Sequence, residues 1–276
     1  MDADDRWLIS HLRGAVNEII QQLASIPRGS PNFALDAITM LFMRMVKGWR
    51  SVIALLEAGD REPNEADGFN FDACVLVRSI CDASLQLEYI VTGDKIRSLD
   101  SNDLGKLYIE YAIVEKYLAS QQVTNSNPSF ASKLSKAIRE SPQRAVGEVE
   151  LQKEFDRVKP NYLKGSRKLR AHWYPGHLGE LAEKFARREE YFYFFSTHNS
   201  AVHSGPLALS QGPILKGSDL SSFLLHELTR GAKLVRDFAK LSLSAVANEV
   251  LSEHTPNLLD VGGEPVTNGS TPPSTK

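Results

Sequence analysis

Two cysteines in 276 residues, Cys74 and Cys81, are too few for a disulfide framework. They fall seven residues apart in one apolar helical stretch, and at about 1.5 Å of rise per residue they sit roughly 10 Å apart, beyond disulfide reach. They read as buried, reduced thiols, and without a Cys-x-x-Cys pair no structural zinc site is expected. Long apolar runs are missing too, so no segment has the ~20 residues a membrane-spanning helix needs. An excess of one charge is also lacking. Lys and Arg number 32 against 34 Asp and Glu, a net charge of −2, and no overall field draws the chain to nucleic acid or an anionic membrane. The start, Met1 to Asp5, is acidic and has neither the basic end nor the apolar run of a signal peptide. The expectation is a cytoplasmic protein without membrane association. Alternating strand patterns, internal repeats and Gly-rich phosphate loops are likewise absent, and neither a metal nor a cofactor is expected.

What remains is helical periodicity. The spacing predicts helices over about Asp5–Ser25, Phe33–Ala58, Phe71–Val91 and Leu104–Ala119. The first is closed by Pro27 to Pro31, and the second carries Phe42, Val46, Trp49, Ile53 and Leu56 on one side. The third is apolar around most of its circumference, which marks a central helix. Residues 121–160 have a weaker pattern and read as a helical flap or insertion. Pro160 to Gly165 reads as a turn, followed by helices over Leu178–Arg187 and Glu189–Ser204, the latter stopped by Gly205-Pro206. Ser218 and Asp219 offer caps for a final helix to about Leu251. The expected architecture is all-α, a single irregular bundle of about 8–10 helices over residues 1–255. A polar tail over 256–276 is expected to be disordered, being rich in Gly, Pro, Ser and Thr.

Two polar clusters interrupt the apolar helices. In the third helix, Arg78 lies among Cys74, Cys81 and Leu85, with Asp82 one turn further on. A buried arginine is costly unless paired, and a carboxylate at i+4 suits it, whether the pair fixes packing or serves a site. In the segment Tyr191 to Pro206, Ser196, Ser200 and His203 share a face at i, i+4 and i+7, with Tyr193 one turn above. His203 sits in the last turn, where the helix dipole favours its protonated form; capping the helix or contacting a ligand both fit that position.

Sharper motifs mostly fail on geometry. His172 and His177, like His198 and His203, are five apart, about 140° around a helix, so neither pair converges on a metal. His226-Glu227-Leu-Thr-Arg230 has arginine where a zinc protease places its second histidine. Arg167 and His172 have the separation used by HEPN-type ribonucleases, but His172 runs straight into Trp173-Tyr174-Pro175, which suits no helix interior. Lys164, Arg167, Lys168 and Arg170, with Arg157 and Lys159 before them and Trp173 and Tyr174 after, form a candidate single-strand surface or else a solvated face beside a packed Trp173.

Three stretches together, Leu76-Val-Arg-Ser-Ile-Cys-Asp-Ala83, His172-Trp-Tyr-Pro-Gly176 and Tyr193 with Ser200-x-x-His203, resemble a bacterial helical family, domain of unknown function 5677. The likeness runs from about Phe33 to Leu251. Asp82 departs from it, standing where that family is expected to carry glutamate. The resemblance implies a helical fold and a bacterial origin and supplies no reaction. The site expected from these residues is a polar pocket between the third helix and the Glu189–Ser204 helix. Arg78, Asp82 and His203 would form its centre, Tyr193, Ser196 and Ser200 its lining, and Trp173 a lid or wall. By analogy with other helical proteins, the pocket would belong to a binding or effector module of stress or phage-defence type. The alternative is a metal-independent ribonuclease with His203 as general acid/base and Arg78 stabilising phosphate charge. RNA or a protein is the expected partner, with a homo-oligomer as a further candidate.

Overall fold

The computed structural model describes residues 3–27, 31–62, 64, 66–125, 148–165, 168–189, 191–192 and 217–253. Its α-helices are α1 (Ala3–Ser25), α2 (Phe33–Arg61), α3 (Ala66–Thr92), α4 (Ser101–Asn125), α5 (Glu148–Val158), α6 (Leu178–Lys184), α7 (Gly217–Ala239) and α8 (Ala245–Glu253). Among the described residues the fold is all-α apart from one two-stranded hairpin, β1 (Leu163–Lys164) and β2 (Lys168–Leu169). No helix among the described residues is long and apolar enough to cross a membrane.

The core forms around α2 and α3, the most extensively packed pair. On α2 the stripe Ala34, Ala37, Ile38, Leu41, Met45, Trp49, Val52 and Leu56 recurs every three or four residues and is buried throughout. Gly48 lets α3 come close: a Cβ there would stand 2.8 Å from Cγ1 of Ile80. α4 approaches the start of α2 even more tightly, since a Cβ on Gly105 would overlap the backbone of Phe33 and Ala34. Only a residue without a side chain permits that approach. α7 packs on α3, α2 and α1, and α8 packs on α1.

Helix ends follow local chemistry. The Asn32 side chain accepts from the Leu35 amide at 3.0 Å and starts α2. Asp100 accepts from the Asp103 amide at 2.8 Å while Asp103 accepts from the Asp100 amide at 3.3 Å, a reciprocal cap that starts α4. Cys74 and Cys81 are buried and form no disulfide, and burial pushes the Cys74 thiol up to about 12.

The structure departs from the sequence expectations in three places. The final helix, expected to run unbroken to Leu251, divides at Lys240, whose φ is 51°. The cause lies on α1: Glu18 accepts from the Ser244 amide at 2.6 Å and its hydroxyl at 2.8 Å, and Gln22 donates to the Ser242 carbonyl at 2.7 Å. Those long-range partners replace the helix's own bonds, and Ser244 then caps α8. The stretch expected as a turn from Pro160 instead runs through a 3₁₀ segment, Lys159–Tyr162, into the β1–β2 hairpin. The helix expected to reach Arg187 stops at Lys184, with Ala186 at a φ of 56°. Residues 126–147 of the expected flap and the tail beyond 253 lie outside the described residues.

Gly105→Ala is expected to cost about 1–3 kcal/mol or more, because backbone rather than a flexible side chain stands in the way. Gly14→Ala, in the exposed interior of α1 with nothing within 4 Å of the new Cβ, should stabilise by up to about 1 kcal/mol. Urea unfolding of the two variants beside the wild type tests the contrast, and equal effects would contradict the packing described.

Candidate functional site

Arg78, Asp82 and Gln86 recur at i+4 along α3, so they form one polar stripe on that helix, with Ser79 beside it. Gln86 anchors the stripe to its neighbours. Its amide donates to the Asp82 carbonyl at 3.1 Å, and its side-chain oxygen accepts from the Trp173 indole at 2.7 Å. Trp173 is buried and packs against Tyr89, Tyr108 and Tyr174 at ring-centroid distances of 5.6, 5.5 and 5.6 Å. Residues 171–176 are thereby held against α3 and α4, and Gly176 (φ 81°) turns the chain away into α6.

Asp82 is the anomaly of the stripe. Its Oδ1 is buried and has no hydrogen-bond partner among the described residues. Burial pushes its carboxyl up to about 6, although the charges of Arg78 and Arg44 both pull it down. The Arg78 charge bears on the Asp82 carboxyl as the i, i+4 spacing leads one to expect, and among the described residues no hydrogen bond reaches Oδ1. Arg44, exposed on α2, directs Nε and Nη2 at the Ser79 hydroxyl, at 3.2 and 2.9 Å. Tyr174 is buried and Tyr191 half-buried. Desolvation first, and then the Asp82 charge, raise both phenols, Tyr191 to about 12. Tyr191 opens the expected Glu189–Ser204 helix, so the start of that segment lies beside Asp82 and Arg78.

Tyr193, Ser196, Ser200 and His203 lie outside the described residues, as does Arg167. Lys164 and Lys168 face each other across the hairpin and are exposed. Arg170 is half-buried over the Tyr162 ring and donates to the Asn161 carbonyl. Arg157 pairs with Glu110 and Glu154, each at 2.8 Å, so part of the basic run is already neutralised. His172 is exposed, stacked on Tyr174 at 5.1 Å. No group of His, Cys, Asp and Glu among the described residues has the arrangement to hold a metal ion.

Sequence reasoning missed a second cluster. Arg187, buried between α6 and Tyr191, donates to Glu227 on α7, to the Ser84 hydroxyl at 3.2 Å and to Glu88 at 3.4 Å, both on α3. Arg230 on α7 reaches the other Glu88 oxygen at 2.7 Å. Burial above all lowers the pKa of His226 beside them. The signal was present in the sequence, where Glu227 and Arg230 interrupt an apolar helix within the incomplete zinc motif. Arg44 was missed because its helix face carries no other warning.

Two outcomes are expected. Arg187→Ala removes the guanidinium partner of the buried Glu227 carboxylate and should cost about 3–5 kcal/mol, read by denaturant midpoint. Asp82 behaves oppositely. Between its ordinary value of 3.8 and about 6 the folded protein retains a proton the unfolded chain has released. Its contribution to stability therefore falls as pH rises through that window and stays unfavourable above it. Asp82→Asn should match the wild type near pH 3 and be more stable by up to about 3 kcal/mol at pH 7.5. A variant less stable than wild type at pH 7.5 would mean the carboxylate is a structural partner.

Searches of curated proteins and of solved structures each returned no match. A family model does match, over residues 35–216, and it spans α2, α3, α4, the hairpin and both Trp173 and Tyr191. The stripe on α3 and the chain segments laid against it thus fall inside the matched region, and the protein belongs to the family of unknown function DUF5677.

Proposed function

We propose that the protein is a binding module whose site is the polar stripe of α3. Its centre is Arg78 and Asp82, and Tyr193, Ser196, Ser200 and His203, which follow Tyr191 in the chain, form its further lining. Trp173 is its fixed wall, held by Gln86. The observation that carries this reading is Asp82 Oδ1, a buried acceptor with no donor among the described residues, beside the charges of Arg78 and Arg44. An unsatisfied buried polar group costs about 1–3 kcal/mol, and a ligand that donates to it recovers that cost on binding. An effector role in stress or phage defence is the cellular form of the proposal and rests on analogy with other helical proteins.

A metal-independent ribonuclease is the second reading, favoured by the same carboxyl standing at about 6 near Arg78 and Arg44. A general acid or base works best close to the operating pH, and guanidinium groups stabilise phosphate charge. In that reading RNA is cleaved in the presence of a chelator, and His203→Ala and Asp82→Asn each abolish cleavage without unfolding the protein.

Thermal-shift screening of wild type, Asp82→Ala and His203→Ala against metabolite and nucleotide panels tests the binding reading. At least one compound should raise the wild-type Tm by several degrees, leave both folded variants unmoved, and act less strongly below about pH 6, where the carboxyl takes a proton. Compounds that shift all three proteins alike would remove this stripe as the site.

A further inference from the structure

We infer that the α3 stripe takes a ribose phosphate, the phosphate on Arg44 and Ser79 and a sugar hydroxyl on Asp82. This deepens the binding reading and rests on it.

Arg44 sets the anion end. Its guanidinium is exposed, and its Nε and Nη2 both point at one neutral acceptor, the Ser79 hydroxyl. No carboxylate lies within ion-pair distance of it among the described residues. A guanidinium fork whose two parallel donors share a single hydroxyl is under-used. A phosphate accepts both donors in parallel and takes the serine O–H as a third, so it fits this pair of residues better than the hydroxyl alone does.

Asp82 sets the other end, and the electrostatics choose the donor. Oδ1 needs a hydrogen bond, yet the Arg78 and Arg44 charges already bear on the carboxyl. An ammonium group would gain from Asp82 but be repelled by both guanidinium groups in a partly buried place. A neutral donor meets no such penalty, and a hydroxyl is the compact one. Ser79 and Asp82 stand at i and i+3 on α3, so the phosphate and hydroxyl positions are about one helix turn apart. That is the separation between a phosphate and the hydroxyls of the sugar that bears it. The donor also relieves the one repulsive contact in the arrangement, carboxylate against phosphate, by standing between them.

Aromatic rings border the same place. Tyr191 is half-buried beside Asp82, and half-buried Tyr108, whose phenol feels the Arg44 charge, packs edge-on against Trp173. A planar base attached to the sugar has these faces to stack on, an interaction tolerant of base identity. The ligand is therefore a ribonucleotide unit, supplied either free or as part of an RNA strand.

Isothermal titration with adenosine 5′-monophosphate, 2′,3′-dideoxyadenosine 5′-monophosphate, adenosine and ribose 5-phosphate tests the assignment, beside an RNA oligomer and the DNA oligomer of the same sequence. Removing the hydroxyls or the phosphate is expected to weaken binding to the wild type by about tenfold or more. Asp82→Ala should then bind the nucleotide and its dideoxy analogue alike, and Arg44→Ala, at an exposed position where folding is secure, should bind nucleotide and nucleoside alike. Binding of the RNA oligomer alone assigns the strand as the source, with DNA as its hydroxyl control; binding of the mononucleotide assigns the free form. Equal affinity for the ribose and dideoxy forms, or for RNA and DNA where only the strand binds, overturns the inference, as does wild type that binds none of these compounds. In those cases a different compound that shifts wild type but not Asp82→Ala leaves the binding reading standing, and its absence removes both.

Discussion

Arg187 is a buried guanidinium fixed by acceptors on two different helices, Glu227 on α7 and Ser84 and Glu88 on α3. A charge so placed has one low-energy position, since moving either helix would leave it or a carboxylate uncompensated. The network therefore does more than join α3 to α7. It pins the chain four residues before Tyr191, whose amide donates to the Arg187 carbonyl at 2.9 Å, and so determines where the segment after α6 crosses α3. The ring that flanks Asp82 is held there by an ion network on the far side of the same helix.

α3 thus carries polar chemistry on two faces with opposite characters. Around Glu88 each charge is met by another and by hydrogen bonds, the condition under which buried ions persist at little net cost. Around Asp82 the geometry is supplied but, among the described residues, the acceptor is left open and Arg44 answers only to a serine hydroxyl. The same helix shows what a completed network looks like, and beside it Asp82 Oδ1 is one of several buried polar atoms without a hydrogen-bond partner among the described residues, Trp49 Nε1, Ser221 Oγ and Thr229 Oγ1 being others. A buried carboxyl without a donor among the described residues, its pKa raised by burial, makes Asp82 a candidate for a site.

Trp173 illustrates how the two faces are kept rigid. Buried among Tyr89, Tyr108 and Tyr174, and tied through its indole to Gln86, it fixes a segment that has no regular secondary structure of its own. Large aromatic groups with a satisfied polar handle can hold a loop as firmly as a strand would. The wall beside Asp82 is accordingly preformed, and little ordering is required of it when a ligand arrives.

The helices α1 to α4 were legible in the chain because apolar spacing and caps are local properties, written within a few residues of where they act. The anomaly of Arg78 and Asp82 was legible for the same reason, as was the central place of α3. The sequence could not show that Asp82 would remain without a donor, that Arg44 of α2 would stand over Ser79, or that Glu227 and Arg230 would complete Arg187. The contacts among them join residues far apart in the chain: 35 positions for Arg44 and Ser79, 40 for Arg187 and Glu227, and 142 for Arg230 and Glu88. The break at Lys240 belongs with them, since Glu18 and Gln22 impose it from the other end of the chain. Periodicity determines which face of a helix is buried, but the partner of a buried polar group depends on how helices are stacked, and that is a property of the tertiary structure alone.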